Sequence, residues 1–558
     1  MKSTRRGHWP WLLLSAVALA AGVFLRCWQL GDQILIDDEW HAVHKLLHAG
    51  MLNIATHFGV ADYCIPLTLY YRALYDVGAL TEWTMRAPLL LGGIGLLVFA
   101  PWSLRRSVPL PTRSVWLALL AISPVLMYLT RTARPYALSG TLALVAIVAF
   151  LRWYHDAPQA RRWAWLYVLA TVAAGWLQLL TLTFTLTPFL LFGVLALWRL
   201  AHGQTREGLG MLRRLLVFGL LTVAPLALLL LPPLINDWGA LVGKAGRGAV
   251  TWDSAWRTAL MLFGVGGPVV AGLLTALTAW GVVRFSRRQP ALTACFLLIM
   301  AIATTTIIVA QPAWIEHPGV LARYVMPGLP LLLLFLAEGL LAAAQWLLPR
   351  YLTAGVAALA LAGLFAVGPL PKLLYWPNQF MGHTRFQYDY DPLGALVRTR
   401  VKLGTIPPFY FELARQPPRS LTVIQGPWRP ESYFIPQPWY QQLHRQYVKI
   451  AMVSPTCGPG GWADFPATFS GIHLTQFVHL SDVLRGADEG ADLLVLRMRP
   501  WLDVPPQRIR WPDMRQCLAR VEAWLGPPFY RDPQIAVFAL SPAGTRVARD
   551  QAAAGKPR

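Results

Sequence analysis

The chain has 558 residues, of which 56% are hydrophobic and only 14% are charged, and its mean hydropathy is +0.45. A soluble globular protein carries about 25% charged residues, so this composition excludes an ordinary soluble enzyme and indicates a multi-spanning membrane protein. The net charge of +22 does not indicate a nucleic-acid partner, because much of the basic charge lies in short loops between apolar segments.

The first apolar segment follows a basic N-terminus and runs from Trp11 to about Leu25. It is longer than a typical signal-peptide core of roughly 7–15 residues, and no small-residue cleavage site precedes Arg26. We therefore expect an uncleaved membrane span whose N-terminus lies in the cytoplasm.

Further apolar segments predict a bundle of about eleven transmembrane helices, each near the ~20 residues that cross a bilayer. They lie at 87–104, 114–130, 135–152, 163–180, 182–199, 214–233, 258–283, 291–310, 324–347 and 352–371. Every even-numbered loop is basic, with residues such as Arg105, Arg161 and Arg287, as the positive-inside rule requires of cytoplasmic loops. An odd number of spans then places the remaining chain on the extracytoplasmic side.

The first outward loop, 29–86, contains the acidic cluster Asp37, Asp38 and Glu39. Adjacent carboxylates are too costly to lie in lipid, so we expect them at the membrane surface or in a wet cavity. The amphipathic pattern that follows, 40–47, predicts an interfacial helix. The cluster is either the N-terminus of this helix or a binding or catalytic group, and capping alone does not require three acids.

Three histidines of this predicted helix, His41, His44 and His48, share one face with Asp37 one turn earlier. Histidine and carboxylate ligands suit Zn²⁺ or Mn²⁺, so a divalent metal is one interpretation of the stripe. The alternative is a polar face toward headgroups or water. We favour that alternative because one stripe rarely supplies convergent ligands, and the sequence predicts no required cofactor.

Two outer junctions between spans carry arginines, which run against the positive-inside preference and call for a separate explanation. Arg131 and Arg134 precede Tyr136 at one junction, and Arg323 precedes Tyr324 at the other. Because guanidinium groups bind phosphate in a bidentate manner, these arginines are candidate phosphate ligands. The alternative is that they extend toward lipid headgroups.

The chain becomes polar and rich in proline from residue 375. Strand patterns at 421–424, 447–453, 493–496 and 535–540 alternate with helical patterns at 474–484 and 514–525. This alternation predicts a small α/β domain over 375–541. The tail, 542–558, is predicted to be disordered. Cys457 and Cys517 are a candidate disulfide pair in an oxidising compartment, although spacing does not determine connectivity.

Four segments of the membrane half carry motifs whose order and spacing along the chain are distinctive. They are Asp38-Glu39 in the first outward loop, DYCIPLTLYY beginning at Asp62 with EWTMRAPLLLGG after it, SPVLMYLTRTARPYAL at 123–138, and LARYVMPGLPLL at 321–332. Together they resemble the GT-C superfamily of integral-membrane glycosyltransferases. In particular they resemble bacterial members akin to the dolichyl-phosphate-mannose protein mannosyltransferases and the lipid A aminoarabinose transferase.

This resemblance implies a GT-C-like membrane domain over 1–374 and a location in the bacterial cytoplasmic membrane. It implies transfer of a sugar from a polyprenyl-phosphate donor to the hydroxyl of a glycan, lipid or protein acceptor at the outer face, with inversion. Membrane lipids would surround the donor's tail, and the C-terminal domain would be extracytoplasmic.

The resemblance also assigns roles to the candidate residues. Asp38 would be the general base, oriented by Glu39 or Asp37. The arginines at the outer junctions would stabilise the leaving phosphate. The remaining candidate substrate-binding residues are Asp62, Tyr136 and Tyr324.

Two other classes of protein are alternatives. A transporter or flippase of a lipid-linked sugar would bind the same phosphate, and a non-catalytic cell-envelope assembly protein would use the α/β domain to recognise a polymer. Transporters tend to have duplicated halves and spans interrupted at the midplane, and this sequence shows no such repeat. The outward acidic cluster and the large C-terminal domain therefore favour an enzyme.

Overall fold

The computed structural model divides the chain into two compact units. The helical unit comprises Met1–Leu30, His41–Asp76 and Trp83–Gly394, and the C-terminal unit comprises Gly31–Trp40, Val77–Glu82 and Ala395–Arg558. The structure describes residues 8–28, 30, 35, 38–59, 63–155, 160–246, 248–349, 351–371, 406–426, 437–454, 471–477, 480, 490–499 and 514–553. Three residues of the sequence predictions lie outside these ranges, namely Asp37, Asp62 and Cys457.

The described residues up to 371 form α-helices joined by short turns. They are α1 (Trp9–Cys27), α2 (Asp38–His48), α3 (Met51–Thr56), α4 (Ile65–Asp76), α5 (Glu82–Ser103), α6 (Leu110–Ala121), α7 (Pro124–Thr130), α8 (Tyr136–His155), α9 (Ala160–Leu177), α10 (Leu182–Ala201), α11 (Thr205–Val242), α12 (Trp252–Phe263), α13 (Pro268–Arg288), α14 (Pro290–Ala310), α15 (Pro318–Val325), α16 (Leu329–Leu347) and α17 (Thr353–Val367). Several begin with proline, whose missing N–H falls where a helix has no intrahelical acceptor to offer.

Eight helices in the described part of the chain are long and apolar enough to cross a membrane, or nine if the bent pair α6 and α7 counts as one span. The predicted multi-spanning helical fold is therefore confirmed. The predicted spans at 163–180 and 352–371 correspond to α9 and to the 15-residue α17, which fall outside that set. The total of about eleven spans stays a prediction.

One predicted span, 258–283, is wrong. The structure divides it between α12, which ends at Phe263, and α13, which begins at Pro268. Gly264 ends α12 in a left-handed conformation (φ 77°), which glycine adopts without steric cost. The glycine and the following proline stop and restart the helix inside an otherwise continuous apolar segment.

The most buried part of the bundle is formed by α7, α8 and the broken span of α15 and α16. Every residue of α7 is buried. In the 18-residue apolar stretches long enough to cross a membrane, 78% of the residues are buried in α8 and 83% in α15–α16. Helices that are apolar on all sides belong at such a centre. Gly281 of α13 and Gly339 of α16 lie where these two helices are in direct backbone contact. The absence of a side chain permits this contact, since a Cβ on Gly339 would collide with the Leu277 carbonyl.

An intramembrane carboxylate, Glu338, joins three helices. Its Oε1 accepts a hydrogen bond from Thr112 at 3.0 Å, and its Oε2 lies 3.2 Å from Nη2 of Arg288. Arg284 approaches the same carboxylate at 3.8 Å. A buried carboxylate is tolerated in such a bundle when it is paired, so this contact is structural.

Two buried arginines satisfy backbone carbonyls at helix ends. Arg26 donates to the carbonyls of Leu120 and Ala121, both at 3.1 Å, where α6 breaks before α7. Nη1 of Arg131 donates to the Trp28 carbonyl at 2.7 Å and to carbonyls of the last turn of α1. The last carbonyls of a helix have no intrahelical donor, so these contacts stabilise both the bend and the end of α1.

The C-terminal unit contains a six-stranded mixed sheet with the order β3-β2-β1-β4-β6-β5. Its elements are α18 (Pro408–Leu413), β1 (Thr422–Gly426), α19 (Gln437–His444), β2 (Tyr447–Ser454), β3 (Gly471–Phe477), β4 (Leu493–Arg497), α20 (Met514–Leu525), β5 (Tyr530–Arg531), β6 (Ile535–Ala539) and α21 (Pro542–Ala553). Strands β2, β1 and β4 are parallel, and the other pairs are antiparallel. The predicted C-terminal α/β architecture is confirmed.

Each face of this sheet has its own apolar core, as strand alternation requires. One core includes Ile424 and Leu494 and packs on α20. The other includes Val423 and Val495 and packs on α18, α19 and α21. Helix α20 covers one face of the sheet, and α18, α19 and α21 cover the other, so both sides of the central strands are buried.

Two predictions for this unit are wrong. The helix predicted over 474–484 is wrong for 474–477, which belong to strand β3 (Gly471–Phe477) and pair with β2. Of the rest of that segment the structure describes only Leu480, which is helical. The tail predicted as disordered, 542–558, forms helix α21 as far as Ala553. Ser541 caps that helix by accepting from the Ala543 and Gly544 N–H groups, and Val547 is buried against the sheet.

Cysteine chemistry differs between the two units. Cys517, on α20, is disulfide-bonded, and Cys457, its predicted partner, lies outside the described residues. Cys27, Cys64 and Cys295, among the described residues of the helical unit, form no disulfide bond. A disulfide persists in an oxidising compartment, so this difference bears on the topology proposed below.

We expect Gly339→Ala to destabilise the helical unit, because the added Cβ meets the backbone of Leu277 and forces α13 and α16 apart. Overpacking of this kind costs about 1–3 kcal/mol, so the melting temperature of the detergent-purified protein should fall. The control is Gly272→Ala on α13, whose added Cβ would have no heavy atom within 4 Å. Equal melting temperatures for the two variants would contradict the close packing.

We expect Arg131→Met to lower stability as well, because it leaves helix-end carbonyls without their donor. A buried polar group that loses its partner costs about 1–3 kcal/mol. Thermal unfolding in detergent measures the loss, with Arg213→Met as the control because Arg213 is exposed on α11. A variant Arg131→Met that melts with the wild type would show that the capping contacts contribute nothing.

Candidate functional site

The structure brings together three of the predicted binding residues, Arg323, Tyr136 and Tyr324. The guanidinium carbon of Arg323 lies 5.2 Å from the centroid of the Tyr136 ring and 5.7 Å from that of Tyr324. Tyr136 begins α8, whereas Arg323 and Tyr324 end α15, so distant parts of the sequence meet here. Cation–π attraction contributes about 0.5–2 kcal/mol and holds the guanidinium in a defined plane.

The position of Arg323 is set by the cap of its helix. His317 caps α15 by accepting from the Gly319 N–H at Nδ1 (3.2 Å). The pKa of His317 is lowered, mainly by burial and further by the positive charge of Arg323. A neutral imidazole with Nδ1 as acceptor carries its proton on Nε2. His317 is therefore neutral at neutral pH, and the positive charge carried by α15 belongs to Arg323.

Two residues outside the predicted set, Tyr63 and Lys244, extend this cluster. Nζ of Lys244 lies 4.3 Å from the centroid of the Tyr63 ring, and the Tyr63 hydroxyl donates to the Ala240 carbonyl at 3.0 Å. The pKa of Tyr63 is raised, first by burial, then by the negative charge of Asp237 and by Tyr324. A lysine in a predicted outward loop was the available sequence signal for Lys244, since it also opposes the positive-inside preference.

A break in α11 holds the chain around Thr56 and Phe58 in place through two hydrogen bonds. Asp237 has non-helical backbone angles (φ −127°, ψ 29°), and its Oδ2 accepts from the Phe58 N–H at 2.7 Å. The neighbouring Asn236 donates to the Thr56 carbonyl at 2.9 Å. These bonds stabilise the region of Phe58 and Tyr63, whose ring centroids lie 4.9 Å apart.

The other predicted arginines have different surroundings. Arg134 is buried in the turn between α7 and α8, two residues before Tyr136, and its backbone N–H donates to the Thr132 carbonyl at 2.7 Å. Arg131 is buried as well, but its Nη1 is bonded to the carbonyls at the end of α1. These contacts show that Arg131 caps a helix, and its phosphate-binding role stays a prediction.

The acidic cluster stands at the start of α2. Asp38 is the first residue of this helix, Glu39 is fully buried, and Asp37 lies outside the described residues. Trp40 is also buried and donates from Nε1 to the Leu35 carbonyl at 3.1 Å. Helix α2 confirms the predicted helix over 40–47, and its position at the membrane interface stays a prediction. Charged residues are almost never fully buried unless they are paired, so Glu39 is held for a structural or functional reason.

The histidine stripe does not form a metal site with the part of the chain that the structure describes. Within that part, no group of three or more His, Cys, Asp or Glu side chains has an arrangement able to hold a metal ion. His41 and His44 are half-buried on α2, and His48 is exposed at its end. Their spacing places them on one helix face, but convergent ligands must come from more than one segment.

No protein-family model matches the chain, and no curated protein matches it significantly. Among solved structures, the chain is similar to ArnT from Cupriavidus metallidurans bound to undecaprenyl phosphate, at 16% identity and a TM-score of 0.48, over 95% of this chain and 98% of that chain. The apo state of that protein gives 14% identity, a TM-score of 0.48, and 95% and 97% coverage.

The chain is also similar to the apo oligosaccharyltransferase of Archaeoglobus fulgidus, at 14% identity and a TM-score of 0.42, over 79% of this chain and 64% of that chain. TM-scores below 0.5 at such identities do not establish a shared fold or activity. Function is therefore inferred from the residues of this chain.

Proposed function

We propose that this protein transfers a sugar from a polyprenyl-phosphate donor to an acceptor hydroxyl at the outer face of the bacterial cytoplasmic membrane. The observation that carries the proposal is Arg323, stacked against Tyr136 and Tyr324 at the end of a buried span. A cation fixed in this way suits the phosphate of a lipid whose tail lies among the spans. The sequence resemblance to GT-C glycosyltransferases independently supports the same chemistry.

The arginines stabilise the leaving group in this proposal. As the bond between the anomeric carbon and the phosphate oxygen breaks, the electron pair stays on the phosphate and its negative charge increases. Arg323 and Arg134 neutralise that charge, and Lys244 adds a further positive charge beside Tyr63. Donors fixed before the reaction need no reorganisation as charge develops. Because the arginines supply the positive charge, the proposal requires no metal cofactor.

Asp38 takes the proton of the acceptor hydroxyl as the new glycosidic bond forms. Direct displacement by that hydroxyl inverts the configuration at the anomeric carbon. Glu39, which is fully buried, orients Asp38. The acceptor, whether glycan, lipid or protein, supplies only a hydroxyl in this scheme.

Two observations support an extracytoplasmic C-terminal unit. Cys517 is disulfide-bonded, which fits an oxidising compartment outside the bacterial cytoplasm. The basic even-numbered loops of the sequence indicate the same orientation, with the N-terminus inside. Both arguments support an acceptor on the same side as the predicted outward loops.

A transporter or flippase of the same lipid is the second candidate, because Arg323 stacked on two tyrosines would also bind the phosphate of a lipid that is moved and not cleaved. Such a protein needs no general base and forms no glycosidic bond. The two functions therefore differ in what the loss of Asp38 does, and in whether a new covalent product appears.

We expect Arg323→Ala to reduce use of the donor strongly, because removing one partner of a buried charge pair costs about 2–5 kcal/mol. Arg323→Lys should restore only part of the activity, since lysine lacks the planar fork. Release of sugar from a panel of radiolabelled polyprenyl-phosphate sugars measures the effect. Arg257→Ala is the control, because Arg257 forms an exposed pair with Asp253. Normal turnover by Arg323→Ala would show that Arg323 contacts lipid headgroups and does not bind the donor phosphate.

We expect Asp38→Asn to abolish transfer while donor binding and folding are kept. Loss of a general base typically costs about 10²–10⁴ in rate, whereas asparagine caps a helix as well as aspartate does. Glu39→Gln should be milder, and Asp37→Asn mildest. The measurements are product formation and donor binding on the purified variants in proteoliposomes. An active Asp38→Asn protein would disprove the base assignment, and donor translocation without any glycosidic product would favour the flippase.

A further inference from the structure

The C-terminal unit has a feature that its apolar cores do not explain. From β1 the chain crosses through α19 to β2 on one side, and later enters β4 on the other side of β1. The strand order therefore reverses between the parallel strands β1 and β4. In open α/β sheets, ligands bind outside the carboxyl ends of the strands at such a point.

Polar residues occupy this edge on the face that packs on α18 and α19. Val423 and Val495 belong to the core of that face, so strand alternation puts Gln425 and Arg497 on it too. Gln425 pairs in register with Val495, and Arg497 is two residues beyond it at the end of β4. The two polar side chains are thus diagonal neighbours at the carboxyl edge.

Gln425 is buried without the hydrogen bonds that burial normally demands. It is only 1% exposed, and in the described part of the chain neither its Oε1 nor its Nε2 has a hydrogen-bond partner. The hydroxyl of Tyr410, on α18 above the same face, is buried at 0% exposure and lacks a partner among the described residues as well. Buried polar side-chain atoms are partnered in the large majority of cases, so these groups call for an explanation.

Aromatic stacking holds the Tyr410 ring in place. Its centroid lies 4.3 Å from that of Tyr440 and 5.8 Å from the parallel ring of His444. His444 accepts from the Gln446 N–H at Nδ1, and burial lowers its pKa to about 3, so it is neutral with its proton on Nε2. The hydroxyl of Tyr410 is therefore a fixed group on a rigid, uncharged support.

Arg497 brings a guanidinium group to this edge. It is buried, at 4% exposure, and its Nε donates to the Arg499 carbonyl at 3.4 Å. The nearby Asp532 accepts hydrogen bonds from its own turn, at Oδ1 from the Gln534 and Ile535 N–H groups and at Oδ2 from the Tyr530 hydroxyl at 2.9 Å. The guanidinium, the Tyr410 hydroxyl and the Gln425 amide are hydrogen-bond donors on one edge, and a guanidinium binds an oxyanion more strongly than a neutral acceptor.

We propose that the carboxyl edge of β1 and β4 is a binding site for a sugar that carries an oxyanion, either a carboxylate or a phosphate; the oxyanion is inferred from the donors at this edge, and the sugar rests on the proposed function. The Tyr410 hydroxyl, the Gln425 amide and the Arg497 guanidinium hold the oxyanion, and Oε1 of Gln425 accepts from a sugar hydroxyl. All three residues of the site belong to the C-terminal unit. Ligand binding to it is measured without sugar transfer, so its failure is distinguishable from failure of the proposed function.

The test uses the full-length protein in nanodiscs and isothermal titration with four probes: glucuronate, glucose 6-phosphate, glucose and inorganic phosphate. We expect at least one of the two anionic sugars to bind about tenfold more tightly than glucose or inorganic phosphate. Which of the two it is separates a carboxylate ligand from a phosphate ligand. Gln425→Leu and Tyr410→Phe should each weaken that binding about tenfold.

The control is Tyr530→Phe, which removes a hydroxyl that already has Asp532 as its partner, and it should leave binding unchanged. Tyr410→Phe conserves volume, so its melting temperature should equal or exceed that of the wild type and exclude misfolding as the cause of lost binding. No binding of either anionic sugar by the wild type would overturn the proposal. So would equal affinity for glucose or inorganic phosphate, or binding that persists in both Gln425→Leu and Tyr410→Phe.

Discussion

The helical unit depends on satisfying backbone carbonyls inside an apolar bundle. No water is available there, so a helix that ends or bends needs a donor from elsewhere in the chain. Arg26 supplies it where α6 breaks before α7, and Arg131 supplies it at the end of α1. With those carbonyls satisfied, the chain can turn sharply before α8, and that turn is where Arg134 and Tyr136 lie.

The same residue type therefore serves two purposes at one end of the bundle. Arg131 directs its Nη1 at carbonyls, which occupies the guanidinium with backbone. Arg323 instead stacks on the rings of Tyr136 and Tyr324, which orients the guanidinium. The proposed phosphate ligand belongs to this second arrangement. In this protein the immediate partners of an arginine, more than its position in a motif, indicate its role.

The sheet of the C-terminal unit shows a comparable division between its faces. The face toward α20 is covered by apolar residues such as Leu494 and Phe538. The opposite face is apolar at its centre, yet it carries Gln425, Arg497 and the hydroxyl of Tyr410 near the point where the strand order reverses. Buried polar groups reduce stability unless they are satisfied, so their concentration on one edge suggests that they are kept for binding.

The sequence by itself determined the membrane class, the position of most helices, the amphipathic α2 and four of the six strands of the C-terminal sheet, because hydropathy and periodicity are local properties. It also identified Tyr136, Arg323 and Tyr324 as candidate binding residues. Only the tertiary structure decided that these three meet, that Lys244 lies beside Tyr63, and that Arg131 caps a helix. It also decided that 542–553 is a docked helix and that β3 is a strand. Those outcomes depend on partners far away in the chain, and a contact between distant residues leaves no mark in the local pattern of either one.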